Sequence, residues 1–260
     1  MAFVVEKKWN DAMKIRVSRR SYDSRTVEAR KMEALSTLAR SINELGRGVR
    51  IEVIEGDTSG IFRGIVGGYG KITSTGQYAA FIGDSADPDA ERLLGYYGEA
   101  FILEATSLGV GTCWVSGTFN PESVKAHISL RPGEEVFSVT PLGYPTEDSS
   151  PVERLAKFVV RSEKRKPSAS ILDGDLSAIP NWAQAALNSA RSAPSATNRQ
   201  PWLFKWTKDS MTIRVRGTGK RLIQDCGIAM LHFALGALES GIAGKWEAGT
   251  DSVVAIFKPD

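Results

Sequence analysis

Apolar and charged positions alternate at close to helical spacing from Val5 to Val17, which predicts a short amphipathic helix. The pattern strengthens from Thr26 to Leu45, where Leu35, Leu38, Ile42 and Leu45 fall on one face and Gly46 ends the run. Val49–Ile54 alternates as a strand does, and Tyr78–Ile82 is a short apolar strand. The glycine-rich stretch from Phe62 to Gly76 between them reads as loop and turn. Leu93–Leu108 is a long, largely apolar helix running into Gly109-Val110-Gly111 and a β-like stretch, Thr112–Val115. A strand at Phe137–Leu142 then ends in Gly143-Tyr144-Pro145.

Ser162–Lys166 is basic and Pro167–Asp175 reads as a linker, after which a new unit starts near Ile179 with an alanine-rich helix to about Arg191. The segment APSATNRQPW follows, then strands at Leu203–Trp206 and Met211–Val215, a long apolar helix from Ile223 to Ser240, and a last strand at Val253–Phe257. Helices and strands alternate without a regular βαβ rhythm, so the expected class is α+β rather than a doubly wound sheet. Shifting the chain by 132 positions brings Gly95 onto Gly227, Leu103 onto Leu235, Ala105 onto Ala237, Gly109 onto Gly241 and Trp114 onto Trp246. The register holds through one helix and the turn after it, and hints at an internal duplication.

With 42% hydrophobic and 24% charged residues over 260 positions, disorder, collagen-like repeats and coiled coil are excluded as the main state. The net charge of +3, from 33 basic and 30 acidic residues, lacks the concentrated Lys and Arg of a nucleic-acid binder. Cys113, Cys226, His127 and His232 have no zinc-ligand spacing, and two lone cysteines make no secreted disulfide framework. The first twenty residues carry only a four-residue apolar run before charges begin, so neither a signal peptide nor a membrane helix is expected. The expected location is the cytoplasm.

Three segments carry candidate chemistry. In Pro194-Ser195-Ala196-Thr197-Asn198-Arg199-Gln200-Pro201-Trp202, small and amide-bearing residues lie in a turn after a helix. Asn198 and Gln200 each offer a donor and an acceptor, suited to the imide edge of a planar heterocycle. A polar loop stiffened by prolines explains the same residues. Ser18-Arg19-Arg20-Ser21, with Lys164-Arg165-Lys166 much later, supplies forked guanidiniums and a hydroxyl for a phosphate, or else a solvated basic patch. Gly109-Val110-Gly111, leading to Val115-Ser116-Gly117, lets a ligand approach the backbone closely, although a bare GxG lacks the context of a dinucleotide-binding turn. Cys113 reads as a small buried hydrophobe, and both histidines read as structural.

Together these segments resemble the FMN-dependent nitroreductase family. RRSYD is similar to its N-terminal RRSxR motif, PSATNRQPW to PSxxNxQPW, LGVGTCWVSG to its LGLGxxW segment, PLGYP to the strand-end motif that follows, and KRKP to its C-terminal RKPL element. The order departs from the family's: Ser195 of PSATN stands 174 residues after Ser21, behind the LGVG and KRKP elements rather than before them. Family members are typically homodimers with flavin sites across the interface. The chain therefore resembles a single-chain, internally duplicated branch, with one half over 1–167 and a second, shorter half over 168–260.

The resemblance implies one FMN per chain, a monomeric pseudo-dimer, NAD(P)H as electron donor, and a nitroaromatic, quinone or similar small acceptor as partner, with neither nucleic acid nor membrane involved. Carried over residue by residue, Arg19, Arg20, Ser21 and Arg165 match the phosphate and ribityl contacts. Pro194, Ser195, Ala196, Asn198 and Gln200 match the segment lining the isoalloxazine, and Val115, Ser116 and Gly117 the backbone near flavin N5 and O4. Lys71 matches a further basic contact. Asp23 stands where the motif carries a basic residue, with Arg25 as a candidate replacement. No side chain is expected as an obligatory acid or base. The alternatives are a flavin-binding store or sensor without turnover, and a non-flavin module binding an acidic partner.

Overall fold

The computed structural model describes residues 3–56, 58, 60–62, 72, 75–146 and 164–260. Helices α1 (Trp9–Ile15) and α2 (Ala29–Asn43) precede strands β1 (Val49–Glu55) and β2 (Gln77–Asp84). They are followed by α3 (Ala90–Ser107), α4 (Pro121–Lys125) and β3 (Glu134–Pro141). The later part runs α5 (Asn181–Ala190), β4 (Trp202–Thr207), β5 (Ser210–Val215), α6 (Leu222–Glu239), β6 (Gly244–Ala248) and β7 (Val253–Pro259). The chain divides into two compact units. One comprises Met1–Phe3, Ile15–Ala90 and Phe101–Ser162; the other comprises Val4–Lys14, Glu91–Ala100 and Glu163–Asp260.

The first unit is built on the antiparallel order β1-β2-β3. Segment 111–115 lies along β3 through isolated bridges Gly111–Gly143 and Val115–Val139. β2 is buried along nearly its whole length, which matches its unbroken apolar run. Phe81 meets Phe101 edge-on at 6.1 Å and stacks on Trp114 at 4.5 Å. On α2 the buried stripe is Met32, Leu35, Ala39 and Ile42, with Leu38 and Leu45 half-buried at its margin. The Asn43 amide ties this helix to β1, donating to the Ile51 carbonyl at 3.0 Å and accepting its N–H at 2.7 Å.

The second unit carries the antiparallel order β4-β5-β7-β6. Helix α6 is apolar all round and buried from Gln224 to Ala237. Its Phe233 stacks on Phe204 at 5.5 Å and meets Phe257 and Trp246 edge-on at 5.2 and 5.6 Å. Among the described residues α6 is the one helix long and apolar enough to cross a membrane, and most of it lies buried inside the fold.

At the offset of 132 the correspondence goes beyond the helix and turn. Helices α3 and α6 have matching bounds. Both end in a turn of the Schellman type: Gly109 (φ 74°) and Gly241 (φ 81°) stand in the left-handed region, while Val110 N–H bonds the Ala105 carbonyl at 2.8 Å and Ile242 N–H the Ala237 carbonyl at 2.9 Å. The irregularity in the β2–β3 ladder falls between Phe81 and Ile82, and that between β5 and β7 between Ile213 and Arg214, the equivalent step. β6 likewise matches the 112–116 segment.

The structure departs from the sequence reading in four places. α1 begins only at Trp9, because Glu6 to Lys8 form a turn whose carbonyls accept from Trp9 and Asn10. The expected linker Pro167–Asp175 is not loose: Ile171 and Leu172 are buried, and the Phe204 and Asp173 amides exchange hydrogen bonds with Ile171 and Phe204 at 2.8 and 2.7 Å. Two elements were not expected. One is β6, whose alternation is broken by charges; the other is α4, where the Asn120 side chain caps Glu122 N–H ahead of Pro121 at the first turn.

Candidate functional site

In the first unit the RRS segment is laid down as an extended strip against two others. Arg19 N–H donates to the Thr112 carbonyl at 2.8 Å, Thr146 N–H to the Ser21 carbonyl at 3.2 Å, and Asp23 N–H to the Tyr144 carbonyl at 2.9 Å. A Cβ on Gly111 would lie 3.2 Å from the Gly143 oxygen and 3.3 Å from Arg19 Cγ, tighter than ordinary contact, so the GVG glycine eases the close approach of these segments. Three motifs far apart in sequence thus meet around Arg19, Arg20 and Ser21. Arg19 and Arg20 are half-buried and Ser21 is buried.

Val115 exchanges both backbone hydrogen bonds with Val139, at 3.0 and 2.9 Å, so its own N–H is committed. Ser116 is half-buried and Gly117 exposed, with no atom within 4 Å of a Cβ built on the glycine. Arg25 forks onto Asp23, with Nε–Oδ2 at 2.9 Å and Nη2–Oδ2 at 2.6 Å, and lies over the Tyr144 ring at 4.7 Å. Its charge is therefore matched by the acid that replaces the motif's basic residue. Lys71 lies outside the described residues.

In the second unit the PSATNRQPW turn and the KRKP element are stapled together. Arg165 Nη1 donates to Asn198 Oδ1 at 2.7 Å, and Asn198 Nδ2 to the Lys164 carbonyl at 2.9 Å. Gln200 accepts Lys166 N–H at 2.8 Å and donates to the Lys164 carbonyl at 3.1 Å. Lys166 Nζ returns to the Arg199 and Gln200 carbonyls at 2.8 and 2.9 Å. Gln200 is buried, so its amide serves the backbone of 164–166 rather than an outer surface.

Pro194 is buried, while Ser195 and Ala196 are half-buried. The Ser195 hydroxyl accepts Gln200 N–H at 2.9 Å and closes the turn. Within it Thr197, Asn198 and Gln200 hold φ of 52°, 56° and 49°, left-handed values that asparagine tolerates and a β-branched threonine resists. Burial, and after it the nearby Arg216 charge, push the Lys166 ammonium below its ordinary range. This donor set fits a phosphate and a polar heterocycle edge.

Sequence reading did not single out Asp225, and it named Lys166 only as part of the basic KRKP element. Asp225, in the first turn of α6, is 4% exposed, and its Oδ1 accepts Ala196 N–H at 3.1 Å. Burial raises its carboxyl to about 7, against the pull of the Ala196 N–H and Arg199. An acid in the first turn of an otherwise apolar helix was the available signal. His232, read as structural, is fully buried with Nε2 3.0 Å from Glu99 Oε1 and Nδ1 3.0 Å from Ser192 Oγ. Cys113 is buried, as a small hydrophobe would be. Among the described residues no cluster of His, Cys, Asp and Glu is suited to a metal ion.

A family model described as "Putative TM nitroreductase" matches residues 8–237. Among solved structures, the chain is similar to a protein of Thermotoga maritima described as a putative nitroreductase. The two are 21% identical over 99% of this chain and 95% of that one, with a TM-score of 0.61, a likeness of fold. It is also similar to an FMN-dependent nitroreductase of Clostridium difficile R20291, 18% identical over 53% of this chain and 88% of that one, TM-score 0.41. A Bacteroides fragilis nitroreductase with bound FMN is 17% identical over 54% and 90%, TM-score 0.42. No curated protein matches the chain.

Proposed function

From the premise that this chain belongs to the nitroreductase family, which makes it an oxidoreductase, we propose that it binds one FMN and moves electrons from a nicotinamide nucleotide to a nitroaromatic, quinone or similar small acceptor. The observation that supports this most is the docking of Arg165 on Asn198 at 2.7 Å, which joins an anion-binding element to an amide-bearing turn. By the family resemblance, Arg19, Arg20 and Ser21 would supply phosphate and ribityl donors, and Ser195, Ala196 and Asn198, held in place by Gln200, would line the ring. Backbone donors at Ser116 and Gly117 would serve the N5 and O4 edge of a bound flavin. Bound FMN supplies the two-electron chemistry, and the protein orients it and tunes it electrostatically. None of these residues has to give up or take a proton as an obligatory acid or base.

We also read the chain as two fused subunits. The equal bounds of α3 and α6, their matching end turns and the equivalent ladder irregularities support that reading. It implies a monomer with one flavin.

The test is an absorbance spectrum of the purified protein, loaded with FMN if colourless, before and after anaerobic NADPH and then NADH. Flavin bands that bleach are the expected result and identify the donor. Bound flavin that stays oxidised would make the protein a store or sensor, and failure to take up FMN would overturn the reading.

A further inference from the structure

The Asp225 carboxylate is buried, yet only one of its oxygens is hydrogen-bonded among the described residues. Oδ1 accepts the Ala196 N–H, while Oδ2 carries no hydrogen bond and has Arg199 Nη2 at 3.9 Å. A buried carboxylate with an orphaned oxygen is costly and calls for a role. Ala196 opens the turn whose next residues, Thr197 and Asn198, both hold left-handed φ, so the conformation needs external restraint.

We infer that Asp225 is a positioning residue for the flavin site: ionised, it clamps the Ala196 N–H and draws in Arg199, fixing the turn that presents Ser195 and Asn198. A charged acceptor binds an N–H about twice as strongly as a neutral one, so protonation loosens the turn. The other charged groups around Asp225 are Arg199 from the turn and Glu91 from α3, the latter held by Arg221 at 3.0 Å. Beside it on α6, the Cys226 thiol is kept protonated by burial and by Asp225 itself. Asp225 is therefore the group here that changes charge near neutrality, with burial as the main cause.

The inference rests on the flavoprotein reading, and its test separates the two. FMN dissociation constants are measured at pH 6 and pH 8 for the wild type and for Asp225→Asn, so that ionisation of the FMN phosphate cancels between them. The wild type is expected to gain about fivefold more affinity across that interval than the variant, the size of one charge-assisted hydrogen bond. Equal ratios would overturn the inference. Hydrogen exchange of the Ala196 amide, corrected for intrinsic rate, gives a reading without flavin. Protection is expected to rise with pH in the wild type, stay level in Asp225→Asn and vanish in Asp225→Ala. Protection unchanged in Asp225→Ala would also overturn it. A wild type that binds no FMN but follows this exchange pattern would sink the flavin reading and support the role of Asp225.

Discussion

Gly95 and Gly227 face each other backbone to backbone: a Cβ on Gly95 would lie 2.1 Å from the Gln224 carbonyl oxygen, and one on Gly227 2.1 Å from the Arg92 carbonyl oxygen. Arg92 and Gln224 are themselves 132 positions apart, so each glycine touches the equivalent of the residue that its counterpart touches. That reciprocity is the signature of a two-fold contact. The obstacle on both sides is backbone, which no side-chain rotation relieves. Gly95→Ala and Gly227→Ala are each expected to cost about 3 kcal/mol, at the upper end for overpacking, and to fall short of additive when combined. Urea denaturation checks this; a loss near the few tenths expected of a surface change would mean the helices separate easily.

Gln200 separates holding a site from touching a ligand. Its amide satisfies Lys166 N–H and the Lys164 carbonyl, and Gln200→Ala leaves both without it, at about 2 kcal/mol. Flavin retention should fall with it, although the amide lies on the backbone side. Asn198→Gly is the complementary change: glycine keeps the left-handed φ but removes the amide oxygen that accepts from Arg165 Nη1. That variant should fold normally yet hold FMN several-fold more weakly, as should Arg20→Ala. Flavin content and thermal melts of all three decide it; unchanged flavin in both Asn198→Gly and Arg20→Ala would refute the residue assignments.

Much of this was legible in the chain, for identifiable reasons. The apolar stripe of α2 and the unbroken apolar runs of β2 and α6 depend on local periodicity, which survives folding intact. The GVG and PSATN segments stood out because special backbone positions demand particular residues, and RRS because paired guanidiniums beside a hydroxyl suit a phosphate. Asp225 did not stand out, because its importance comes from burial against Ala196, twenty-nine positions away, and not from its neighbours in sequence. The ladder irregularity at Phe81–Ile82 and its equivalent at Ile213–Arg214 were equally hidden. The backbone irregularity recurs at the same offset while the side chains differ, and residue identities at that offset are confined to glycine, alanine, leucine and tryptophan positions of the helix and the turn after it.

The buried Glu99–His232 contact carries a proton count that can be tested. Ser192 Oγ donates to the Ser189 carbonyl at 2.7 Å, so it accepts from His232 Nδ1–H, leaving one further proton between Nε2 and Glu99 Oε1 at 3.0 Å. Glu99→Ala strands a buried imidazole nitrogen and is expected to cost about 3–5 kcal/mol, the range for breaking a buried pair. Glu99→Gln can place an amide N–H on that nitrogen and should cost far less. Equal losses in the two, measured by denaturant unfolding, would show that the carboxylate charge and not the hydrogen bond is what matters.

Asp225 makes stability depend on pH in the direction opposite to an ordinary paired carboxylate. Its folded value of about 7 lies above the 3.8 of an exposed aspartate, so between roughly pH 4 and pH 7 the folded state keeps a proton that the unfolded state has lost. Stability from this group is therefore fully present below about pH 4, declines as pH rises, and levels off above about pH 7. At about 1.4 kcal/mol per unit the full swing is of order 4 kcal/mol. Glu134, held below its ordinary range chiefly by Arg50, works in the opposite direction and at lower pH, so the comparison with Asp225→Asn isolates the effect. The variant should melt higher than the wild type at pH 8, by about 2–4 °C for each kcal/mol, with the gap closing toward pH 4. Because the charged form that costs stability is the one that clamps the turn, the more stable variant should also be the weaker holder of flavin. Parallel melting curves for the two proteins from pH 4 to pH 8 would show that Asp225 stays ionised throughout and remove the basis for both effects.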